Sequence, residues 1–155
     1  LGAPLLGNEN DDRAVMQIIT ADTQAYDDGE TAICFMGHGS DAAANAIYSD
    51  FQERLHRAAY RNYYIGTVEA DPTLEQLLLL VQTGGNYKRV LHQPLMVVAG
   101  DHAHHDMAGE DDESWKRTFE KAGYEVTCIV KGLGELEGIR NIYVSHVRNC
   151  IKQML

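Results

Sequence analysis

The chain is expected to adopt an α/β fold, a three-layer α/β/α domain with a four-stranded parallel sheet. Two observations predict this. Four short apolar runs, entered at Thr31, Asn62, Lys88 and Tyr124, alternate with segments whose apolar residues recur at helical spacing. Strands alternating with helices in this way imply a parallel sheet covered on both faces, with right-handed crossovers. The length, 155 residues, fits one domain spanning 1–155, and 45% hydrophobic residues supply a core.

Asp11 to Tyr26 reads as a helix with Val15, Ile18, Ile19 and Tyr26 on one side, broken by Asp27-Asp28-Gly29. Thr31 to Met36 is the first strand. Gly37-His38-Gly39 turns the chain, and Ser40 or Asp41 is placed to cap a helix carrying Ala43, Ile47, Phe51 and Leu55 inward. Asn62 to Val68, rich in Tyr, Ile, Thr and Val, is the second strand. Asp71-Pro72-Thr73 starts the next helix, Leu74, Leu77, Leu78 and Val81 form its core face, and Gly84-Gly85 ends it. Lys88 to Gln93 is the third strand, stopped by Pro94. Leu95 to Gly109 is a loop, or a loop with a helical turn. Glu113 to Ala122 is a helix facing inward with Trp115, Phe119 and Ala122, closed by Gly123. Tyr124 to Val130 is the fourth strand, and Gly132-Leu133-Gly134 a turn. A long apolar stripe from Ile139 through Ile142, Tyr143, His146, Val147, Cys150 and Ile151 to Met154 marks the last helix.

The net charge of −10 argues against nucleic acid held by a basic surface. No apolar run reaches the length of a membrane span. The opening Leu1 to Leu6 lacks the basic region and long apolar stretch of a signal peptide. It also lacks an initiator methionine, as in a processed chain or part of a longer one. Cys34, Cys128 and Cys150 are widely spaced and read as small hydrophobes, which fits a reducing, cytoplasmic setting.

In open parallel sheets ligands bind beyond the carboxyl ends of the strands. His38 follows strand one, Glu69 ends strand two and His102 follows strand three. The topology therefore gathers two imidazoles and a carboxylate at one edge. Such a set holds a divalent transition metal and leaves a position open. Taken singly, His38 could shape its turn, Glu69 could cap a helix, and His102 could belong to a surface cluster with His104 and His105, both read as exposed. His146 reads as a core histidine, and His56 and His92 have no evident partner. Gly37, Gly39, Gly100 and Gly109 let a ligand approach the backbone. With Ser40, the Gly37 turn would offer amides at a helix start to an anion. The acidic run Glu110 to Glu113 reads as helix capping. A Gly-x-Ser-x-Gly elbow, a Gly-x-Gly-x-x-Gly loop after a strand and a Walker-type loop are all absent, which removes support for a serine hydrolase or a nucleotide-binding enzyme.

Several segments carry a resemblance. Met36 to Ser40, Gly66 to Ala70, Pro94 to Ala103, Asp106 to Gly109, Ser114 to Lys116 and Gly132 to Glu135 together resemble the anaerobic cobalt chelatases of the CbiK type, over nearly the whole chain. The resemblance implies a class II chelatase that inserts Co²⁺ into the tetrapyrrole sirohydrochlorin for cobalamin synthesis without ATP. Related enzymes take Ni²⁺ or Fe²⁺. The family's metal-binding His, Glu and His match His38, Glu69 and His102. Full-length members have two similar halves around the substrate, and this chain resembles the C-terminal one. Its partner would be an N-terminal half or a second copy. The pair His104-His105 departs from the family pattern. Lys88, Arg89, Lys116 and Arg117 are the basic groups available to offset the substrate's carboxylates. The competing readings are a non-catalytic metal or haem carrier and a metal-dependent hydrolase.

Overall fold

The computed structural model describes residues 5–155. The expectation about a leader at Leu1 to Leu6 therefore falls mostly outside the described residues. Four parallel strands lie in the order β2-β1-β3-β4: β1 Thr31–Gly37, β2 Tyr63–Thr67, β3 Arg89–Pro94 and β4 Glu125–Cys128. The helices are α1 Glu9–Asp22, α2 Ala46–Arg57, α3 Leu74–Gly84, α4 Trp115–Lys121 and α5 Glu137–Met154. A π-helical turn, His102–Met107, sits in the loop after β3.

The side-chain period of two divides the core into two layers. Ile33, Phe35, Tyr63, Ile65 and Leu91 face Val15, Ile19, Phe51, Leu55 and Ile139 of α1, α2 and α5. Ala32, Cys34, Met36, Tyr64 and Val90 face Leu77, Val81, Trp115 and Phe119 of α3 and α4. β1 is buried at all seven positions, as the central strand of such a sheet must be. The step from β1 to β2 runs through α2 on one face. The opposite steps, β2 to β3 and β3 to β4, run through α3 and α4 on the other face, so all three crossovers share one hand.

That change of direction puts the topological switch point between β1 and β3. Their outgoing chains leave toward opposite faces and open a crevice at the carboxyl edge.

Several expectations are corrected. The helix after β1 starts at Ala46, not at Ser40 or Asp41, because the Asp41 carboxylate accepts from the Ala44 amide and Asn45 closes a turn onto the Asp41 carbonyl. Ala43 is consequently exposed, and Tyr48 takes the inward place. The last strand stops at Cys128 rather than Val130. The stripe on α5 is buried only at Ile139, with Ile142, Tyr143, His146 and Cys150 half-buried, whereas Val147, Ile151 and Met154 are exposed.

Two further expectations fail, since α1 ends at Asp22 with Tyr26 exposed in a separate 3₁₀ turn, and Ala122 is exposed rather than inward; other caps match. Thr73 caps α3 through a reciprocal capping box with Gln76. Gly123 has the positive φ of a helix terminator, +97°. The acidic run Glu110 to Glu113 does not cap α4 as expected: the cap is Ser114, whose hydroxyl accepts from the Arg117 amide, and the run precedes it. Cys34 is fully buried, while Cys128 and Cys150 are half-buried. Among the described residues no helix is long and apolar enough to cross a membrane.

Candidate metal centre

The β1–β2 ladder does not stop at the strand ends. The Val68 amide donates to the Gly37 carbonyl and the Glu69 amide to the His38 carbonyl, both at 3.0 Å. Strand register thus places Glu69 beside His38 before any side chain is considered. Gly39 keeps them together. Its φ is +98°, and a Cβ there would lie 2.9 Å from the Ala70 backbone nitrogen. On the other side, the Leu95 amide donates to Met36 and fixes the start of the loop that leads to His102. That loop is braced in turn by Leu133 and Gly134, whose amides donate to Met96 and Val97.

The three side chains meet. His38 Nδ1 lies 3.6 Å from one Glu69 carboxylate oxygen, and His102 Nε2 lies 4.0 Å from the other. The two imidazole centroids are 4.9 Å apart, edge to face. One donor atom from each residue falls within 4.8 Å of the other two, and among the described residues no other group of three ligands does so. Both Glu69 gaps are too long for hydrogen bonds. Imidazole nitrogen with carboxylate oxygen suits a divalent first-row metal. All three remain partly open to solvent, with side-chain exposures of 50% for His38, 57% for Glu69 and 34% for His102.

Each imidazole has a polar partner at Nδ1. His102 Nδ1 is 2.6 Å from an Asp106 carboxylate oxygen. His38 Nδ1 is 3.1 Å from the Gly39 carbonyl. Both contacts suit the Nδ1–H tautomer, which would leave Nε2 as the lone-pair atom of each ring.

The remaining sequence candidates divide. His104 and His105 are exposed and outside the cluster. His56 is held by the Tyr63 carbonyl, and His146 by Asp11 at 2.6 Å. His92 is fully buried with neither ring nitrogen hydrogen-bonded, edge-on to Trp115 and Phe119. Burial pushes its pKa down to about 3. The expected anion cradle at Gly37 to Ser40 does not form. No helix starts there, and the Gly39 and Ser40 amides already donate to Tyr48 and Asn45. The glycines there serve the protein's own packing: a Cβ on Gly37 would strike the Tyr48 ring and one on Gly109 the His105 carbonyl, whereas Gly100 faces open space.

Of the basic groups, Lys88 and Arg89 lie at the opposite, amino edge of the sheet, bound to Asp28 and Glu30. Lys116 and Arg117 pair with Glu110 and Glu120. A depression of about 460 Å³ adjoins Glu69, lined by Ser40, Ala42, Val68 and Ala70. A larger one, about 640 Å³, lies between α2 and α3 against Leu79 and Leu80 and is lined by none of His38, Glu69 and His102.

The family model for cobalt chelatase (CbiK) matches residues 1–152. A sirohydrochlorin cobaltochelatase of Salmonella typhimurium is 37% identical over 153 residues, 97% of this chain and 56% of its own length. The sirohydrochlorin cobaltochelatase CbiKC of Nitratidesulfovibrio vulgaris is 33% identical over 154 residues, 99% of this chain and 54% of its own length. The chain thus spans about half the length of these curated relatives.

Proposed function

The chain belongs to the cobalt chelatase (CbiK) family, and on that premise we propose that it carries the metal-holding part of a sirohydrochlorin cobaltochelatase. Its substrates are Co²⁺ and sirohydrochlorin, and it works without ATP. The observation that supports this best is the meeting of His38, Glu69 and His102 at the switch point of the sheet. The two relatives described above are named sirohydrochlorin cobaltochelatases, which favours cobalt over nickel or iron.

In this reading the metal is cargo. Two imidazoles and one carboxylate hold it firmly enough to position it, and the open side lets it leave. Ligation requires neutral imidazoles and an ionised carboxylate, so affinity falls in acid. Insertion displaces two pyrrole N–H protons. His38 accepts one at the ring nitrogen freed as the metal leaves it, and Glu69 or His102 takes the other as its own bond to the metal is released. The half-exposed site leaves the far face of the tetrapyrrole to be covered by an N-terminal half or by a second copy of this chain. The substrate's carboxylates meet few cations here, since Lys88 and Arg89 lie at the other edge, so the covering half supplies most of that charge.

The test is an anaerobic absorbance assay of the chain with sirohydrochlorin and Co²⁺, repeated with the N-terminal half of a relative added. Insertion above the protein-free rate, abolished by His38→Ala, is the expected result. Stoichiometric cobalt binding with no acceleration under either condition would mean a carrier instead.

A further inference from the structure

Asp106 sits four residues after His102 in the π-helical turn. The turn is set by the Ala108 amide, which donates to the Ala103 carbonyl five residues back, flanked by the ordinary bonds from His104 to Gly100 and Gly109 to His105. Single π-helical turns recur at functional sites because they re-aim side chains. Ala103 and Met107 bury this one against the core and leave His102 and Asp106 on its outer face. Their contact, 2.6 Å between Nδ1 and the carboxylate, is short, as charge-assisted bonds are.

We propose that Asp106 is a positioning residue for the metal centre. It holds His102 in the Nδ1–H form and so turns the Nε2 lone pair toward Glu69. An ionised carboxylate has no hydrogen to give, so the ring must supply it at Nδ1. The only acceptor left on His102 is Nε2, the atom that faces the Glu69 carboxylate at 4.0 Å. The carboxylate also makes the imidazole a stronger donor to a cation, and partners of this kind are worth about ten- to a hundredfold in metal affinity. The two histidines are therefore unequal. His38 rests on a backbone carbonyl, which substitution cannot remove, whereas the orientation of His102 depends on one half-exposed side chain.

The inference rests on the metal-site reading above, so its test separates the two. In the metal-free protein labelled with ¹⁵N-histidine, two-bond ¹H–¹⁵N spectra at about pH 8, where free imidazole is neutral, report the tautomer of His102. His102→Gln identifies its signals. Wild type is expected to show Nδ1–H, and Asp106→Ala a shift toward Nε2–H. Titration with Co²⁺ alone should then weaken by about ten- to a hundredfold in Asp106→Ala. Asp106→Asn, whose amide oxygen still accepts from Nδ1–H, should keep the tautomer and lose less. Nε2–H in the wild type, or an Asp106→Ala protein with unchanged tautomer, overturns the proposal. So does unchanged cobalt affinity in Asp106→Ala. If Co²⁺ fails to bind at His38, Glu69 and His102 at all, the metal-site reading falls, and the tautomer spectra still decide what Asp106 does.

Discussion

At the amino ends of the strands, Arg89 reaches Asp28 at 2.9 Å and Glu30 at 3.1 Å, while Lys88 reaches Glu30 at 3.0 Å. At the carboxyl ends, two imidazoles face the Glu69 carboxylate at 3.6 and 4.0 Å, and no lysine or arginine among the described residues pairs with it. Both clusters gather acids and bases on the same sheet. At the amino edge every gap is closed by a hydrogen bond, and Asp28 is held down to about 2, chiefly by the Glu30 amide and Thr31, then by Arg89. At the carboxyl edge both gaps exceed hydrogen-bond length. An acid–base cluster that closes on itself holds structure; the open one is where the proposed function places the metal.

The comparison breaks most easily at Glu69, which both imidazoles share. Glu69→Ala should weaken Co²⁺ binding by more than the loss of a supporting partner would, that is beyond about a hundredfold. Isothermal titration at neutral pH checks it, and the melting temperature of the metal-free protein should hold, because Glu69 is half exposed.

His92 sharpens the contrast from inside the core. It is neutral when folded, with a pKa pushed down to about 3, but takes up a proton near its ordinary 6.5 when unfolded. Stability is therefore full above pH 6.5 and falls as pH drops toward 3, by about 1.4 kcal/mol per pH unit. His92→Leu should remove that slope, leaving the variant more stable than wild type by about 2 kcal/mol at about pH 5 in urea unfolding. Its cobalt affinity should match wild type.

The smallest effect belongs to the amino edge. Arg89→Ala should leave cobalt affinity unchanged and raise the Asp28 pKa only part of the way to 3.8, since Arg89 ranks behind the Glu30 amide and Thr31 among its causes. Asp28 stabilises the fold above 3.8 and loses that contribution as pH falls toward 2, so the variant differs from wild type mainly on the acid limb. Carboxyl NMR titration reads it directly.

The clustering of the triad was legible in the sequence because it follows from topology: His38 and Glu69 lie one and two places past parallel strands and have to emerge at the carboxyl edge, and the loop that leaves β3 at the same edge carries His102. The strand interiors were legible for a similar reason, since burial on both faces demands unbroken apolar runs. The start of α2 was not. Ala42 to Ala44 are good helix formers, but the Asp41 and Asn45 side chains tie the same backbone into turns. The apolar stripe of α5 gave the helix but not its burial, because periodicity records which face is apolar and not what covers it. Asp106 went unnoticed as well. The signal was present in its spacing of four residues from His102, but that spacing gains meaning only once both sit on one helical turn.

The central claim is that the carboxyl-edge cluster binds cobalt. The most direct measurement is an anomalous difference map at the cobalt absorption edge from crystals grown with Co²⁺. The account predicts a peak about 2.1 Å from His102 Nε2, from a ring nitrogen of His38 and from a Glu69 carboxylate oxygen. A peak at His104 and His105 instead, with the triad empty, would contradict it.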